Sequence, residues 1–243
     1  MKSITEEAST SPARPMPFAA RPMQAMDVSQ VADIEREAFP TMLPPTPFKR
    51  ELTNRLIQYM VAYELKPPAH EPDSVERMLT REGLVTPSQP EGNPITRAVS
   101  RLTKLVTGGI GDDDIQGTDF VAGYTSIWYM SEEGHVVSIA VRESHRGRGI
   151  GELLLISGIK LAIRRGCSEA TLEVRKSNYA AQALYEKYGF TQRGIRKGYY
   201  TDNREDANIM TTLPIQTMAY QNKFEQLQEQ HAIKWGTTNI VLD

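Results

Sequence analysis

The segment Arg146-Gly147-Arg148-Gly149-Ile150-Gly151 constrains the fold of this chain more than any other part of the sequence. It follows strand-like residues, Ser138 to Val141, and leads into an apolar helical pattern that ends at Gly166. Glycines at a strand-to-helix turn let the main chain approach a ligand, and the free N–H groups at the start of the helix bind anionic oxygens. Arg146 and Arg148 add positive charge where phosphates would lie. The segment predicts a pyrophosphate site, although by itself it is also compatible with a plain glycine turn.

Two common nucleotide-binding motifs do not fit this segment. A phosphate-binding Walker loop would continue with Gly-Lys-Ser or Gly-Lys-Thr, and this sequence does not. A dinucleotide-binding fold would open with a βαβ unit, whereas the preceding strand belongs to a predicted β-hairpin, 120–130 with 135–141. The glycine spacing, Arg-x-x-Gly-x-Gly, also differs from the dinucleotide fingerprint.

Composition excludes several classes of protein. The 243 residues suffice for one or two domains. No run approaches the roughly 20 apolar residues of a membrane span. The single Cys167 excludes disulfide frameworks and cysteine-based zinc sites. A net charge of −2 gives no reason to expect direct nucleic-acid binding, and residues 1–22 lack the apolar run of a secretory signal, so we expect a cytoplasmic protein.

The sequence divides into four regions by composition. Residues 1–22 are rich in Ser, Thr, Ala and Pro and predict a flexible N-terminal tail. Residues 23–214 predict one catalytic domain, interrupted by a proline-rich insertion at 66–118. Inside the insertion one amphipathic helix begins at Pro94, and its basic face is either solvated or a small contact for RNA or an acidic partner. Residues 215–243 form an extension with Tyr220, Phe224 and Leu227 at helical spacing, which predicts an appended or a frayed helix.

Secondary structure outside the insertion follows from periodicity and turn residues. Before it, Asp27 and Gln30 predict a capping box for a helix that ends at Phe39-Pro40, followed by a short helix from Thr46 and a strand at 58–65. After the hairpin and the first long helix come a strand at 171–175, a helix at 178–188 and strands at 191–195 and 207–213.

Four motifs together resemble the GNAT superfamily of N-acetyltransferases, and within it the RimI type, the ribosomal-protein-alanine N-acetyltransferases. They are Arg146 to Gly151, Leu172-Glu173-Val174-Arg175, Ala183 to Phe190, and Tyr199-Tyr200-Thr201-Asp202-Asn203. The resemblance covers residues 23–65 and 119–214. It implies an α/β fold with a mixed, mostly antiparallel sheet that is splayed between its fourth and fifth strands and has helices on both faces.

The resemblance also implies an activity and its residues. The chain would transfer acetyl from acetyl-CoA to the N-terminal α-amine of a protein, in particular a small-subunit ribosomal protein with N-terminal Ala, by direct attack without a metal or an acyl-enzyme. Glu173 would be the general base and Tyr185 the general acid. Phe39, Pro40, Tyr199 and Tyr200 would grip the substrate peptide. Besides Arg146, the expected cofactor contacts are Ile139, Ala140, Val141, Gly147, Arg148, Gly149, Ile150, Gly151, Glu152 and Asn178.

Physical chemistry supports these roles independently. An α-amine with a pKa of about 7.7–8.0 must lose a proton before it attacks a thioester. Glu173, on the strand face opposite Leu172 and Val174, can accept it. A main-chain N–H near 139–141 would stabilise the oxyanion if a bulge splays that strand. Tyr185 lies about two helical turns from Asn178, on the same side, and can protonate the leaving thiolate.

A purely structural role also stays open for the candidate catalytic and substrate residues. Glu173 could be a solvent-exposed strand residue and Tyr185 a core aromatic, while Tyr199 and Tyr200 could pack on a hairpin. His135 lacks a triad pattern and reads as structural. Cys167 lacks a neighbour that lowers its pKa, which argues against a nucleophilic role.

Two other functions also stay open. The acceptor could be another amine, of a lysine, a polyamine or an aminoglycoside, for which Asp202, Glu205 and Asp206 could supply negative charge. The chain could also be a non-catalytic acetyl-CoA-binding module, although Glu173 and Tyr185 are both present.

Overall fold

The computed structural model describes residues 15–41, 44–65 and 119–243, and the predicted insertion, including its helix, lies outside them. The strands are β1 (Phe18–Pro22), β2 (Ile57–Glu64), β3 (Val121–Met130), β4 (Glu133–Val141), β5 (Glu169–Arg175), β6 (Phe190–Arg196) and β7 (Ala207–Thr212). The helices are α1 (Val28–Ala38), α2 (Phe48–Glu51), α3 (Ile150–Arg164), α4 (Tyr179–Lys187) and α5 (Met218–Trp235). Single 3-10 turns lie at Ala25–Asp27 and Glu143–His145.

The seven strands form one mixed sheet in the order β1-β2-β3-β4-β5-β7-β6. Every neighbouring pair is antiparallel except β4 and β5, which run parallel. A parallel pair needs a crossover connection, and α3 supplies it. The predicted fold class, a mostly antiparallel sheet with helices on both faces, is confirmed.

The sheet opens between its fourth and fifth strands. Pairing of β4 with β5 runs from Glu133↔Glu169 to Val136↔Leu172 and ends there. Ser138 still pairs with Ser126 of β3, but the next pair is Val136 with Ile127, so Val137 is an extra residue in β4. Such a bulge bends a strand and raises its local twist. The bulge therefore lies where the predicted splay begins.

Two apolar clusters cover the two faces of the sheet. β2 shows why: Met60 and Ala62 point into the cluster beneath α3, whereas Tyr59 and Val61 point into the cluster beneath α1 and α2. Most side chains of α3 are buried, as expected for a helix enclosed by the sheet and by α5.

Both ends of the chain differ from expectation. Residues 1–14 lie outside the described residues, but the predicted tail does not reach residue 22, because Phe18–Pro22 pairs with β2 and Phe18, Ala19 and Ala20 are buried. After α5 the chain runs parallel to β1, and hydrogen bonds join Met16 N–H to the Thr237 carbonyl and Ala20 N–H to the Asn239 carbonyl, both at 2.9 Å. The composition of residues 15–22 suggested a tail, whereas their strand partners are far away in sequence.

The predicted capping box at Asp27 does not form. Its carboxylate binds Arg21 at 2.7 Å and accepts a hydrogen bond from Gln24 N–H at 2.7 Å. Gln30 reaches across to the start of β3, where it accepts from Val121 N–H at 2.9 Å. Asp27 thus caps the 3-10 turn before α1 through Gln24, and Gln30 joins α1 to a distant strand instead of capping its own helix.

Candidate active site

The predicted pyrophosphate loop turns on two glycines with left-handed backbone. Gly147 has φ 74° and Gly149 has φ 80°, a region that side chains with a Cβ enter at a cost of about 1–2 kcal/mol. Gly149 is the N-cap residue of α3. The first N–H groups of this 15-residue helix have no acceptor within the helix itself. The loop and the helix start thus have the backbone geometry expected of an anion-binding turn.

The side chains of three predicted cofactor residues are not available to a ligand. Ala140 and Ile150 are buried, so their side chains are not available to a ligand. The carboxylate of Glu152 is held by Lys187 Nζ at 2.6 Å and by the Tyr188 hydroxyl at 2.7 Å. Burial raises the pKa of Glu152, but these two hydrogen bonds outweigh that effect and the net pKa is lowered. Its available group is therefore the backbone N–H.

A cavity of about 730 Å³ lies at the splayed edge of β4 and β5. It brings together all the predicted catalytic and substrate residues and two of the predicted cofactor residues: Phe39, Pro40, Ile139, Glu173, Asn178, Tyr185, Tyr199 and Tyr200. The loop from Arg146 to Glu152 is not among its lining residues. Asn178 caps α4, accepting a hydrogen bond from Ala181 N–H at 3.2 Å.

Both carboxylate oxygens of Glu173, which lines this cavity, are held by basic side chains. Its side chain is 7% exposed, and His135 Nε2 lies 2.6 Å from Oε2 while Arg196 Nη2 lies 2.8 Å from Oε1. An ionised carboxylate only accepts, so His135 donates through Nε2. Burial raises the pKa of Glu173, but the hydrogen bond from His135 and the charge of Arg196 outweigh burial and leave the pKa below its ordinary value. The residue is therefore an ionised acceptor at neutral pH.

Tyr185 lies on the α4 side of the same cavity. Its ring packs at 5.8 Å from that of Phe190, and burial raises the pKa of its hydroxyl to about 12. A hydroxyl with that pKa keeps its proton at neutral pH and is available as a donor.

Tyr199 and Tyr200 lie in the β6–β7 connection and make an edge-to-face pair at 5.2 Å. Arg175 stacks on Tyr200 at 3.8 Å and binds Asp202 at 2.8 Å and Glu205 at 3.2 Å. Phe39, the residue after α1, lines the same cavity. The predicted peptide contacts therefore face one cavity from two elements.

Sequence reasoning missed His135 and Arg196, the two partners of Glu173. The pair His135↔Thr171 in the parallel register brings His135 next to the face that carries Glu173. Nothing local indicates this register. The alternation that places Glu173 on the strand face opposite Leu172 is visible in the sequence. The partners of Glu173, however, come from β4 and β6, which local sequence does not link to β5.

Cys167 is buried, and burial raises the pKa of its thiol. Within the described residues, three or more His, Cys, Asp and Glu side chains nowhere gather as a metal site. No helix of the described segments is both long enough and apolar enough to cross a membrane.

The class of protein follows from this fold and this loop together with the family comparison. Residues 102–190 match the acetyltransferase (GNAT) family, and the chain therefore contains a GNAT acetyltransferase domain. Two curated relatives of the chain carry more specific names. It is 42% identical over 97 residues to the ribosomal protein bS18-alanine N-acetyltransferase of Escherichia coli (strain K12), and 49% identical over 82 residues to an N-alpha-acetyltransferase of Saccharolobus solfataricus.

These matches cover less than two thirds of either relative. The first spans 39% of this chain and 65% of the relative, and the second spans 33% of this chain and 48% of the relative. Among solved structures, the ribosomal-protein-S18-alanine N-acetyltransferase of Escherichia coli superposes with a TM-score of 0.51 at 24% identity, covering 82% of this chain and 95% of that chain. This likeness confirms the fold.

Proposed function

We propose that this chain transfers the acetyl group of acetyl-CoA to the N-terminal α-amine of a protein, with the N-terminal alanine of a small-subunit ribosomal protein as acceptor. The observation that carries the proposal is the buried, ionised Glu173 in a cavity shared with Tyr185 and the peptide-facing aromatic residues. The names of the two relatives, both N-terminal acetyltransferases, favour the same chemistry.

The loop at the start of α3 fits the diphosphate of acetyl-CoA. Gly147 and Gly149 allow the tight turn into α3, whose first N–H groups have no acceptor within the helix, and Arg146 and Arg148 supply positive charge. A Cβ on Gly147 would meet no described atom within 4 Å, so this side of the turn is open. Acetyl-CoA supplies the activated thioester, and the remaining chemistry belongs to side chains and main chain of this protein.

Glu173 accepts the proton that the α-amine must lose. The amine has a pKa of about 7.7–8.0, so much of it is protonated at neutral pH. Glu173 takes the proton directly or through one water, a role worth about 10²- to 10⁴-fold in rate. Because His135 and Arg196 each hold one oxygen, the orientation of the carboxylate is fixed before the amine arrives.

Two further groups complete the reaction. Beyond the bulge at Val137, β4 no longer pairs with β5, which supports a role for a main-chain N–H of residues 138–141 in stabilising the oxyanion as the carbonyl carbon becomes tetrahedral. The C–S bond then breaks, and Tyr185 donates a proton to the departing thiolate sulfur.

The charges near Tyr199 and Tyr200 favour a peptide over a polycationic acceptor. Asp202 and Glu205 are already paired with Arg175, and Asp206 is paired with Lys176 at 3.1 Å and Lys197 at 2.9 Å. A polyamine or aminoglycoside site would need acids that are free to bind the ligand. These three instead hold the β6–β7 connection in place.

The test is acetylation of a peptide panel read by mass shift. One peptide has a free N-terminal Ala and no Lys, and its matched partner has a blocked N-terminus and one internal Lys. We expect the first to gain one acetyl group and the second none. Acetylation of the lysine peptide alone, or calorimetry that detects no binding of acetyl-CoA, would refute the proposal.

A further inference from the structure

The C-terminal extension contacts the pyrophosphate loop at Gly149. Trp235, the last residue of α5, packs its indole over this glycine so closely that a Cβ there would lie 2.7–2.8 Å from ring atoms. At that distance a side chain at Gly149 would require the indole to move. Gly149 therefore needs to be glycine for two reasons, its positive φ and the ring above it.

A second residue of α5 binds the same glycine. His231 is 1% exposed, and its Nε2 lies 3.2 Å from the Gly149 carbonyl, to which it donates. Burial lowers the pKa of His231, so the ring is neutral and carries its proton on Nε2. The charged groups that face it are Glu152, Lys187 and Lys234. In the described residues Nδ1 has no hydrogen-bond partner, so the Gly149 contact is the polar contact that orients this ring.

Both ends of the extension are anchored independently of the loop. At its start, the Tyr220 hydroxyl donates to the Tyr188 carbonyl at 3.0 Å. At its end, Val241 N–H donates to the Ala20 carbonyl of β1 at 2.9 Å. The extension is thus fixed to Tyr188, which follows α4, and to β1. Between these anchors α5 presents His231 and Trp235 to one residue of the loop.

We propose that His231 and Trp235 are positioning residues for acetyl-CoA, because they hold Gly149 and the start of α3 in the conformation that binds the diphosphate. The inference rests on the proposed function, since it needs the diphosphate to bind at this loop. It predicts a defect confined to the affinity for acetyl-CoA, whereas a residue that served only the core would lower stability and leave the affinity of the folded protein unchanged.

The experiment measures full-length variants by calorimetry with acetyl-CoA and by steady-state kinetics. Trp235→Ala should raise both the Kd and the KM for acetyl-CoA about five- to tenfold, while kcat at saturating acetyl-CoA and the KM for peptide stay within about twofold. Trp235→Phe should recover most of the affinity, because a ring again covers Gly149. His231→Ala should raise the same Kd about threefold and His231→Gln, which keeps a donor, by less.

Two matched controls come from the same helix. Ile233 is 84% exposed, and Ile233→Ala should change neither affinity nor melting temperature. Phe224 is buried about 16 Å along the helix from Trp235, so Phe224→Leu should lower the melting temperature and leave the Kd for acetyl-CoA unchanged. If Trp235→Ala does not fold, Trp235→Leu is measured in its place with the same expectation.

Three results would overturn the inference. If the wild type binds acetyl-CoA and the folded Trp235 and His231 variants bind it equally well, the positioning role is refuted while the proposed function stands. Tighter binding by Trp235→Ala would mean that the indole obstructs the site. Wild-type protein that binds no acetyl-CoA would refute this inference and the proposed function together.

Discussion

Both carboxylate oxygens of Glu173 are held by side chains from other strands. His135 of β4 donates to one oxygen and Arg196 of β6 binds the other. A carboxylate fixed in this way keeps its charge and its orientation in a buried setting, which is how a positioned base differs from a strand residue at the surface. Sequence alternation identified Glu173 but not its two partners.

Replacing Glu173 by Gln should separate chemistry from binding. Glu173→Gln keeps the shape but cannot accept a proton, so we expect kcat to fall at least about tenfold while the Kd for acetyl-CoA stays the same. The matched control is Glu169→Gln, on the same face of β5. Wild-type turnover of Glu173→Gln across pH 6–9 would exclude Glu173 as the base.

The pH dependence should reveal the role of His135. In the wild type the lowered pKa of Glu173 keeps it ionised, so the rise of kcat/KM with pH follows the acceptor amine, at about 7.7–8.0. His135→Ala removes the hydrogen bond that lowers this pKa, while burial continues to raise it. The pKa of Glu173 therefore moves upward and its protonated fraction grows on the acid side.

For His135→Ala we accordingly expect a loss of kcat/KM that is larger at pH 6 than at pH 8. Glu133→Gln is the control, because Glu133 lies 4.0 Å from His135 Nδ1, beyond hydrogen-bond distance, and should shift the profile little. An equal proportional loss by His135→Ala at every pH would contradict this role.

At the scale of elements, the turn into α3 depends on two glycines that differ in their surroundings. Both have positive φ, but a Cβ on Gly147 would enter open space among the described atoms, whereas a Cβ on Gly149 would meet Trp235. Gly147 is therefore required only for its backbone conformation, whereas Gly149 is required both for its conformation and for lack of space. The sequence predicted the turn but not the indole, because Trp235 lies in the extension.

This difference predicts an order of stabilities. Gly147→Ala should lower the free energy of unfolding by about 1 kcal/mol through backbone strain alone. Gly149→Ala should lower it by a further 1–3 kcal/mol or so, because the ring must shift. Urea unfolding measures both, and equal losses would show that the ring yields at no cost.

The edge strand β1 lies where composition wrongly predicted a flexible tail. Residues 15–22 carry the prolines and small residues of a tail, yet Phe18–Pro22 forms β1, which lies between β2 and the end of the chain. Strand pairing joins β1 to distant residues, from Phe18↔Glu64 to Pro22↔Met60, and such partners leave no trace in local composition.

On the scale of the whole molecule, the insertion at 66–118 connects two strands, β2 and β3, that pair with each other. β2 and β3 are antiparallel neighbours, Tyr63 pairs with Val121, and Glu64 N–H donates to the Phe120 carbonyl at 2.9 Å. The two ends of the insertion are therefore held close together by strand pairing.

Replacing residues 68–117 by a short Gly-Ser linker should leave the acetyl-CoA site intact. A loop about tenfold shorter costs roughly 2 kcal/mol less to close, which favours folding. We expect an unchanged Kd for acetyl-CoA by calorimetry, since the contacts of Gly149 with His231 and Trp235 come from α5, outside the deletion. Loss of acetyl-CoA binding would contradict this, whereas loss of peptide acetylation alone would assign the insertion to the acceptor site.

The sequence by itself determined the elements and the local chemistry: the glycine turn into α3, the alternation that separates Glu173 from Leu172, and Asn178 at the start of α4. These features depend on residues within one or two turns or on the period of a strand. Tertiary structure alone decided that His135 and Arg196 hold Glu173, that β1 replaces a tail, and that Trp235 covers Gly149. Each of these contacts joins residues far apart in the chain, and strand register and helix packing, which no local pattern encodes, bring them together.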